Sequence, residues 1–310
     1  MEMTANGRAA RLRFAPSPNG ALHLGHALSA LLNAEAARRL GGRFLVRIED
    51  IDRTRSTPAH IASMRHDLAW LRLDWEKPER RQSEHMAAYG AALDRLKQQR
   101  LVYPCFASRG EIAAATASQI DWPRDPDGSP LYPGLWRDAA HGAIAARLGA
   151  GDRPAWRLDM RRALDQVGAV AWQELGINTP RAIISDPAMW GDVVLARKDI
   201  ATSYHLSVVV DDALQAITHI IRGRDLYHAT SLHRLLQCLL GLPQPAYAHH
   251  RLILARDGRK LSKSRNDQSL EGLRAMGATA DDILQLIDWN PDADLAGLSA
   301  DAQKPQPQAG

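Results

Sequence analysis

Two polar clusters far apart in the chain carry residue types suited to holding phosphate. The first is "PSPNGALHLGH", residues 16 to 26, where His23 and His26 stand three apart and so share one face of a helix. They fall where that helix begins, and the open N–H groups and dipole of a helix N-terminus favour an anion. Gly25 puts no side chain between them, so a flat base or a phosphate can approach the backbone, and Pro16 bounds the preceding turn. The second cluster is "RKLSKSRNDQSL", residues 259 to 270, with Lys260, Ser262, Lys263 and Ser264 in one short run. Lysine is a flexible point charge that can follow phosphate oxygens as charge moves in a transition state. The two clusters would hold a nucleoside triphosphate from opposite sides. Each also has a plainer reading: surface histidines on an amphipathic helix, and a solvated basic loop.

Common phosphate cradles do not compete with this one. The chain has neither G-x-x-x-x-G-K-[ST] nor a G-x-G-x-x-G at a strand-to-helix junction. The elements that would position the histidines are legible. "RLRFAP" reads as a strand, "SPNG" as a turn and "ALHLGHALSALLNAEAARRL" as a helix stopped by Gly41 and Gly42. "RFLVRIED" reads as a second, buried strand, which completes a β-α-β unit of a parallel sheet. "PAHIASMRHDLAWLRL" and "EHMAAYGAALDRLKQQR" are helical patterns. Residues 103–180 are rich in Pro, Gly and Asp and read as an insertion into that sheet. "ATSYHLSVVVDDAL" and "ITHIIRGRD" read as strands, and "LYHATSLHRLLQCLLGL" as a helix leading to the lysine cluster. The Pro-containing end of the chain is expected to be disordered.

Composition sets bounds. Thirty-nine Lys and Arg against 35 Asp and Glu give a formal charge of +4, a mild bias that permits a polyanionic partner without demanding one. The N-terminus lacks a signal-peptide core, and no run approaches the ~18 apolar residues of a membrane span. A cytoplasmic protein with no membrane partner is expected. Of the two cysteines, Cys238 lies in an apolar helical pattern and reads as a buried small hydrophobe.

The pairing of H-x-G-H with K-x-S-K-S resembles the two signatures of class I aminoacyl-tRNA synthetases. "RFAPSPNGALHLGHA", "GGRFLVRIEDIDRTR", "LAWLRLDWE", "SYHLSVVVDDAL", "THIIRGRDL" and "LLQCLLGLP" are similar, in order and spacing, to the catalytic core of the glutamyl-tRNA synthetase group. The resemblance implies a Rossmann-like α/β core with a parallel sheet, residues 8–102 and 181–270. It implies an inserted acceptor-binding-like subdomain over 103–180 and a short helical segment with its tail over 271–310. Only the 46 residues from Arg265 to Gly310 follow the lysine signature, so the resemblance is closest to short paralogues, without an anticodon-binding domain, that attach glutamate to queuosine in the anticodon of tRNA(Asp).

Carried over residue by residue, the resemblance implies that Arg13, Phe14, Ala15, Pro16, Ser17, Glu49, Tyr204 and Arg222 hold glutamate. It implies that Pro16, His23, Gly25, His26, Lys260, Ser262, Lys263 and Ser264 hold ATP with Mg2+, with His23, His26 and Lys263 catalytic. The set is chemically coherent, since an arginine can clamp a carboxylate through two parallel N–H donors and Glu49 can accept an ammonium group. Plainer readings remain: an Arg13–Glu49 ion pair between neighbouring strands, a core Tyr204 with a satisfied hydroxyl, and a turn-supporting Arg222. The family's zinc positions correspond to Cys105, Ala107, Tyr132 and Trp136, a set that cannot close a tetrahedral site, so zinc is not expected and packing around Trp136, Trp122 and Phe106 is. The implied chemistry is attack of the glutamate α-carboxylate on the ATP α-phosphate, then transfer to an RNA hydroxyl, by a monomer. Charging of a tRNA 3′ end, a small-molecule nucleotidyltransferase and a non-catalytic tRNA-binding paralogue are the alternatives.

Overall fold

Leu12 and Phe14 alternate with arginines at the start of the chain and bury their side chains in strand β1 (Arg11–Phe14). Helix α1 (Leu24–Arg39) and strand β2 (Arg43–Ile48) follow, and β2 runs parallel to β1, as the pattern predicts. Gly42 permits the reversal, because a Cβ there would lie 2.3 Å from the Ala10 carbonyl oxygen. These coordinates come from a computed structural model, which describes residues 9–117, 119–175, 180–254 and 269–298. Lys260, Ser262, Lys263 and Ser264 lie outside the described residues.

The two predicted helices form as α2 (Pro58–Trp70), capped by the Thr57 hydroxyl, and α3 (Met86–Gln98). Between them strand β3 (Glu76–Arg81), which has no apolar alternation, adds to β2 in parallel. Its half-buried Glu76 reaches Arg11 and Arg43, so ion pairs add to the backbone ladder along this little-buried edge. Strand β4 (Val102–Cys105), helices α4 (Arg109–Ala117) and α5 (His141–Gly149), strand β5 (Ala155–Leu158), helix α6 (Met160–Val167) and strands β6 (Ala171–Glu174) and β7 (Arg181–Ile184) come next. Strand β8 (Val194–Ala196) joins β4 and β5 in a small antiparallel sheet. β6, inside the stretch read as an insertion, instead pairs with the core strand β10 (Ala246–His250).

"YHLSVVVDDAL" is a helix, α7 (Tyr204–Leu214), and this corrects the expected strand. The β-branched run Val208–Val210 favours a strand on propensity, but such preference yields to packing. Leu206, Val208, Val209 and Val210 are buried with α8 (Ala229–Leu240) and α3 in one apolar core. α8 ends at Gly241 in the left-handed region, and its Cys238 is only partly buried, short of the expected core position.

Strand β9 (His219–Gly223) lies between β10, its parallel partner, and β1, which it meets through Thr218 N donating to Arg11 O at 3.0 Å. The short helices α9 (Leu270–Ala275), α10 (Ala280–Leu286) and α11 (Pro291–Ala296) complete the core of the first half. Leu270, Leu273, Ile283 and Ile287 are buried there with α1 and α2 residues. A buried Asp67 carboxylate on α2 pairs with Arg274 on α9. No helix among the described residues is long and apolar enough to cross a membrane.

Candidate active site

A cavity of about 440 Å³ opens beyond the C-terminal ends of β1 and β9. Crevices at the carboxyl ends of strands are where open α/β sheets bind ligands. Its wall includes Arg13, Phe14, Ala15, Pro16, Ser17, His23, Gly25, His26, Glu49, Tyr204 and Arg222, so every predicted site residue within the described chain borders one space. The described residues on either side of the lysine cluster also reach it. Leu252 and Ile253 line the cavity, and Ser269 forms a β-bridge with His23.

The histidines cap α1 reciprocally. His23 Nδ1 accepts from Gly25 N at 3.1 Å, and His26 Nδ1 accepts from His23 N at 3.1 Å. An imidazole that accepts at Nδ1 carries its proton on Nε2 when neutral, so the backbone selects the tautomer of both rings. The ring centroids are 3.8 Å apart, which brings the two imidazoles together at a helix N-terminus. A Cβ on Gly25 would lie 3.1 Å from His23 Cε1 and 3.2 Å from Nδ1. The glycine therefore seats the His23 ring as well as leaving room for a ligand.

Opposite them the charges are paired. Arg13 does not pair with Glu49. Its Nε and Nη2 donate to the two oxygens of Asp212 at 3.0 and 3.3 Å. Fully buried Arg47 donates to Asp212 at 2.8 Å and to Glu49 at 3.1 Å. Asp212 is buried, which opposes ionisation, yet Arg13 and Arg47 outweigh that and hold its carboxyl below the usual range. The pairing spends one edge of the Arg13 guanidinium; Nη1 has no partner among the described residues, and it forms with the second Nη2 proton another parallel donor pair. Burial raises the Glu49 carboxyl above the usual range against the pull of Arg47 and Arg13, as suits a group that gains from an incoming cation.

Arg222 differs. Its Nε, Nη1 and Nη2 meet His249, His233 and Thr230 at 3.4, 3.1 and 2.8 Å, and among the described residues it makes no ion pair. It is a structural member of a network, but it supports no turn. The hydroxyl of Tyr204, expected to hold glutamate or, on the plainer reading, to be satisfied in the core, has no protein partner among the described residues, and Tyr204 lines the cavity. Asp212, Arg47, His233 and His249 escaped the sequence reading. An acidic pair inside "VVVDDAL" and an arginine inside "LVRI" were the available signals, because charges in apolar runs need buried partners.

The zinc-equivalent positions form an apolar cluster: Cys105, Ala107 and Tyr132 are buried with Trp136 against them. Cys105 Sγ donates to Tyr132 Oη at 3.3 Å, the Trp136 N–H also donates to that oxygen at 2.9 Å, and Phe106 meets Trp136 edge-on. One thiol and a phenol already occupied by two donors do not fit a closed zinc site. Trp122 lies near this cluster in sequence and donates through Nε1 to Leu131 O at 2.8 Å.

Known proteins share this arrangement of elements. The chain is 47% identical to a glutamyl-Q tRNA(Asp) synthetase of Rhodobacter capsulatus over 89% of its length and 98% of that protein. It is 36% identical to glutamate–tRNA ligase 2 of Nitrosococcus oceani, over 88% of this chain and 57% of that one. A crystal structure of glutamate-tRNA synthetase from Elizabethkingia anophelis superposes with a TM-score of 0.69 at 26% identity. That alignment covers 83% of this chain and 53% of the other, so the chain spans about half the length of that solved structure. Residues 9–287 match the family described as tRNA synthetases class I (E and Q), catalytic domain, and the chain belongs to that family.

Proposed function

We propose that this chain activates L-glutamate with MgATP and transfers the glutamyl group to the queuosine base in the anticodon of tRNA(Asp). The observation that carries the reading is a single cavity that joins two imidazoles at a helix N-terminus to a buried carboxylate and to a buried guanidinium without a counterion among the described residues. Those are the complements of a triphosphate, an ammonium group and a carboxylate.

In the first step an oxygen of the glutamate α-carboxylate attacks the α-phosphorus of ATP and the bond to the β-phosphate oxygen breaks. Glutamyl-adenylate forms and pyrophosphate leaves with the electron pair. Glu49 accepts the ammonium group, the remaining edge of Arg13 orients the α-carboxylate, and Arg222 with Tyr204 receives the side-chain carboxylate. The Nε2–H groups of His23 and His26 stabilise charge on the phosphate oxygens, and Lys263 and Lys260 hold the departing pyrophosphate. Placement and electrostatics supply the acceleration, with no protein nucleophile. In the second step a hydroxyl oxygen of queuosine attacks the activated carbonyl and AMP leaves. The higher identity to the glutamyl-Q relative than to the glutamate–tRNA ligase favours that acceptor. The enzyme is proposed to act as a cytoplasmic monomer.

Pyrophosphate exchange with a panel of amino acids, with and without tRNA, followed by mapping of the labelled nucleotide, tests both steps. Glutamate-dependent exchange and label at the queuosine position are expected. Absence of glutamate-dependent exchange sinks the activation step, and label at the 3′ end sinks the queuosine acceptor alone.

A further inference from the structure

The two cavity arginines are in opposite electrostatic states. Arg13 is neutralised by Asp212, whereas each nitrogen of Arg222 meets an uncharged acceptor. The uncharged state of those acceptors is enforced by what lies behind them.

His249 is the register partner of Arg222 on the adjoining parallel strand, so the two side chains share a sheet face. One strand further, Glu174 lies level with Tyr247, and its Oε1 is 2.8 Å from His249 Nδ1. The Arg222 Nε–H only donates, so Nε2 of His249 presents a lone pair to it and Nδ1 carries the proton toward Glu174. The other oxygen of Glu174 accepts from Trp172 Nε1 at 2.9 Å. On the opposite side the Arg222 Nη1 group only donates, so His233 Nδ1 must accept; its Nε2–H then points to His205 Nδ1 at 3.1 Å. Arg222, Glu174, His233 and His249 are all buried. Burial first, and Arg222 second, keep His233 well below the ordinary imidazole range and bring His205 down to about 4, so neither ring adds a positive charge near neutral pH.

We infer that His233 and the Glu174–His249 pair are positioning residues that fix Arg222 through neutral acceptors, leaving its charge for an anionic side chain and thereby making the cavity select a carboxylate over the isosteric carboxamide. This rests on the glutamate reading above. A carboxylate in place of His233 would neutralise Arg222 from behind, as Asp212 neutralises Arg13, and the selectivity would go with it.

The test is calorimetric titration of the full chain with glutamate and with glutamine, on wild type, His233→Asp and His233→Asn. Wild type is expected to favour glutamate. His233→Asp is expected to lose roughly ten- to hundredfold in glutamate affinity, the worth of a hydrogen bond to a charged group, with little change for glutamine. His233→Asn, whose amide oxygen can take the place of Nδ1, is expected to retain most of the preference. If wild type binds neither amino acid, the glutamate reading falls and this inference with it. If wild type prefers glutamate and His233→Asp does so equally, or the Asp and Asn variants lose the preference alike, the inference falls alone. Nitrogen-15 imidazole spectra of wild type provide a check independent of variant folding: a proton on Nε2 of His233 and on Nδ1 of His249 is expected, and the reverse on either ring would overturn the assignment.

Discussion

Asp212→Asn perturbs the charge cluster with almost no change in shape. Among the described residues the wild-type carboxylate receives three hydrogen bonds, two from Arg13 and one from Arg47, and Arg47 has no solvent exposure. The variant amide keeps one oxygen for Arg13 Nε and Arg47 Nη1 but turns an NH2 group toward Arg13 Nη2, setting donor against donor. Breaking a buried ion pair on one side costs about 3–5 kcal/mol, because the partner charge stays buried without compensation. In a chain of this size each kcal/mol is worth roughly 2–4 °C, so a fall in melting temperature of about 10 °C is expected. Its pH dependence has a definite sign. The folded-state pKa of Asp212 lies below its unfolded value, so the stability it supplies is present above about pH 4 and is lost as pH falls through the lower folded value. The gap between wild type and variant should be widest near neutrality and close in acid. Equilibrium denaturation from pH 7 to pH 3 measures this, and a neutral-pH difference under about 1 kcal/mol would refute the reasoning. Arg13 also loses its anchor, so the KM for glutamate should rise about tenfold while the KM for ATP holds.

Gly25→Ala sets His23 against helix propensity: alanine gains about 1 kcal/mol within a helix, while its Cβ crowds the His23 ring. Melting should move little and pyrophosphate exchange should fall at least about tenfold; unchanged exchange would remove the glycine from the ring's seating. Lys263→Ala should lower exchange by roughly two orders of magnitude, the worth of a transition-state charge partner, with unfolding unaltered. Arg274→Ala should destabilise by about 3 kcal/mol at neutral pH, because Asp67 is left buried and unpaired. Burial already raises the Asp67 carboxyl despite Arg274, and a raised carboxyl loses stability as pH rises through its folded value. The deficit should therefore shrink as the pH is lowered from 7 toward 5, and a deficit that grows in that range would count against the account.

The β1–α1–β2 unit was legible because each element announces itself locally: apolar alternation, a helical repeat, and two glycines where the chain must turn closely. α7 was not legible, since its consecutive valines carry the local preference of a strand and only the packing of α3 and α8 around them decides for a helix. β3 was hidden for the opposite reason. "EKPERR" has no apolar face to detect and is an edge strand whose Glu76 is held by Arg11 and Arg43. The pairing of β6 with β10 is a long-range choice that neither segment states by itself.

The same division separates the two kinds of residue in the cavity. Those expected to touch a ligand lie in short motifs, because a turn or a strand end positions them: His23 and His26 by reciprocal capping, Arg13 and Glu49 at the ends of neighbouring strands. Those that set the electrostatics of these residues have no motif. Glu174, His233 and His249 reach Arg222 from β6, α8 and β10, and only the register of parallel strands and the packing of α8 bring them together. Arg13 and Arg222 are the same residue type at the same kind of strand end, yet a carboxylate from α7 neutralises one and neutral imidazoles leave the other charged. The net charge of +4 therefore says nothing about the cavity. Which arginine can receive an anion is decided by the group buried behind it, because in a low-dielectric interior a counterion at hydrogen-bonding distance outweighs the rest of the surface charge.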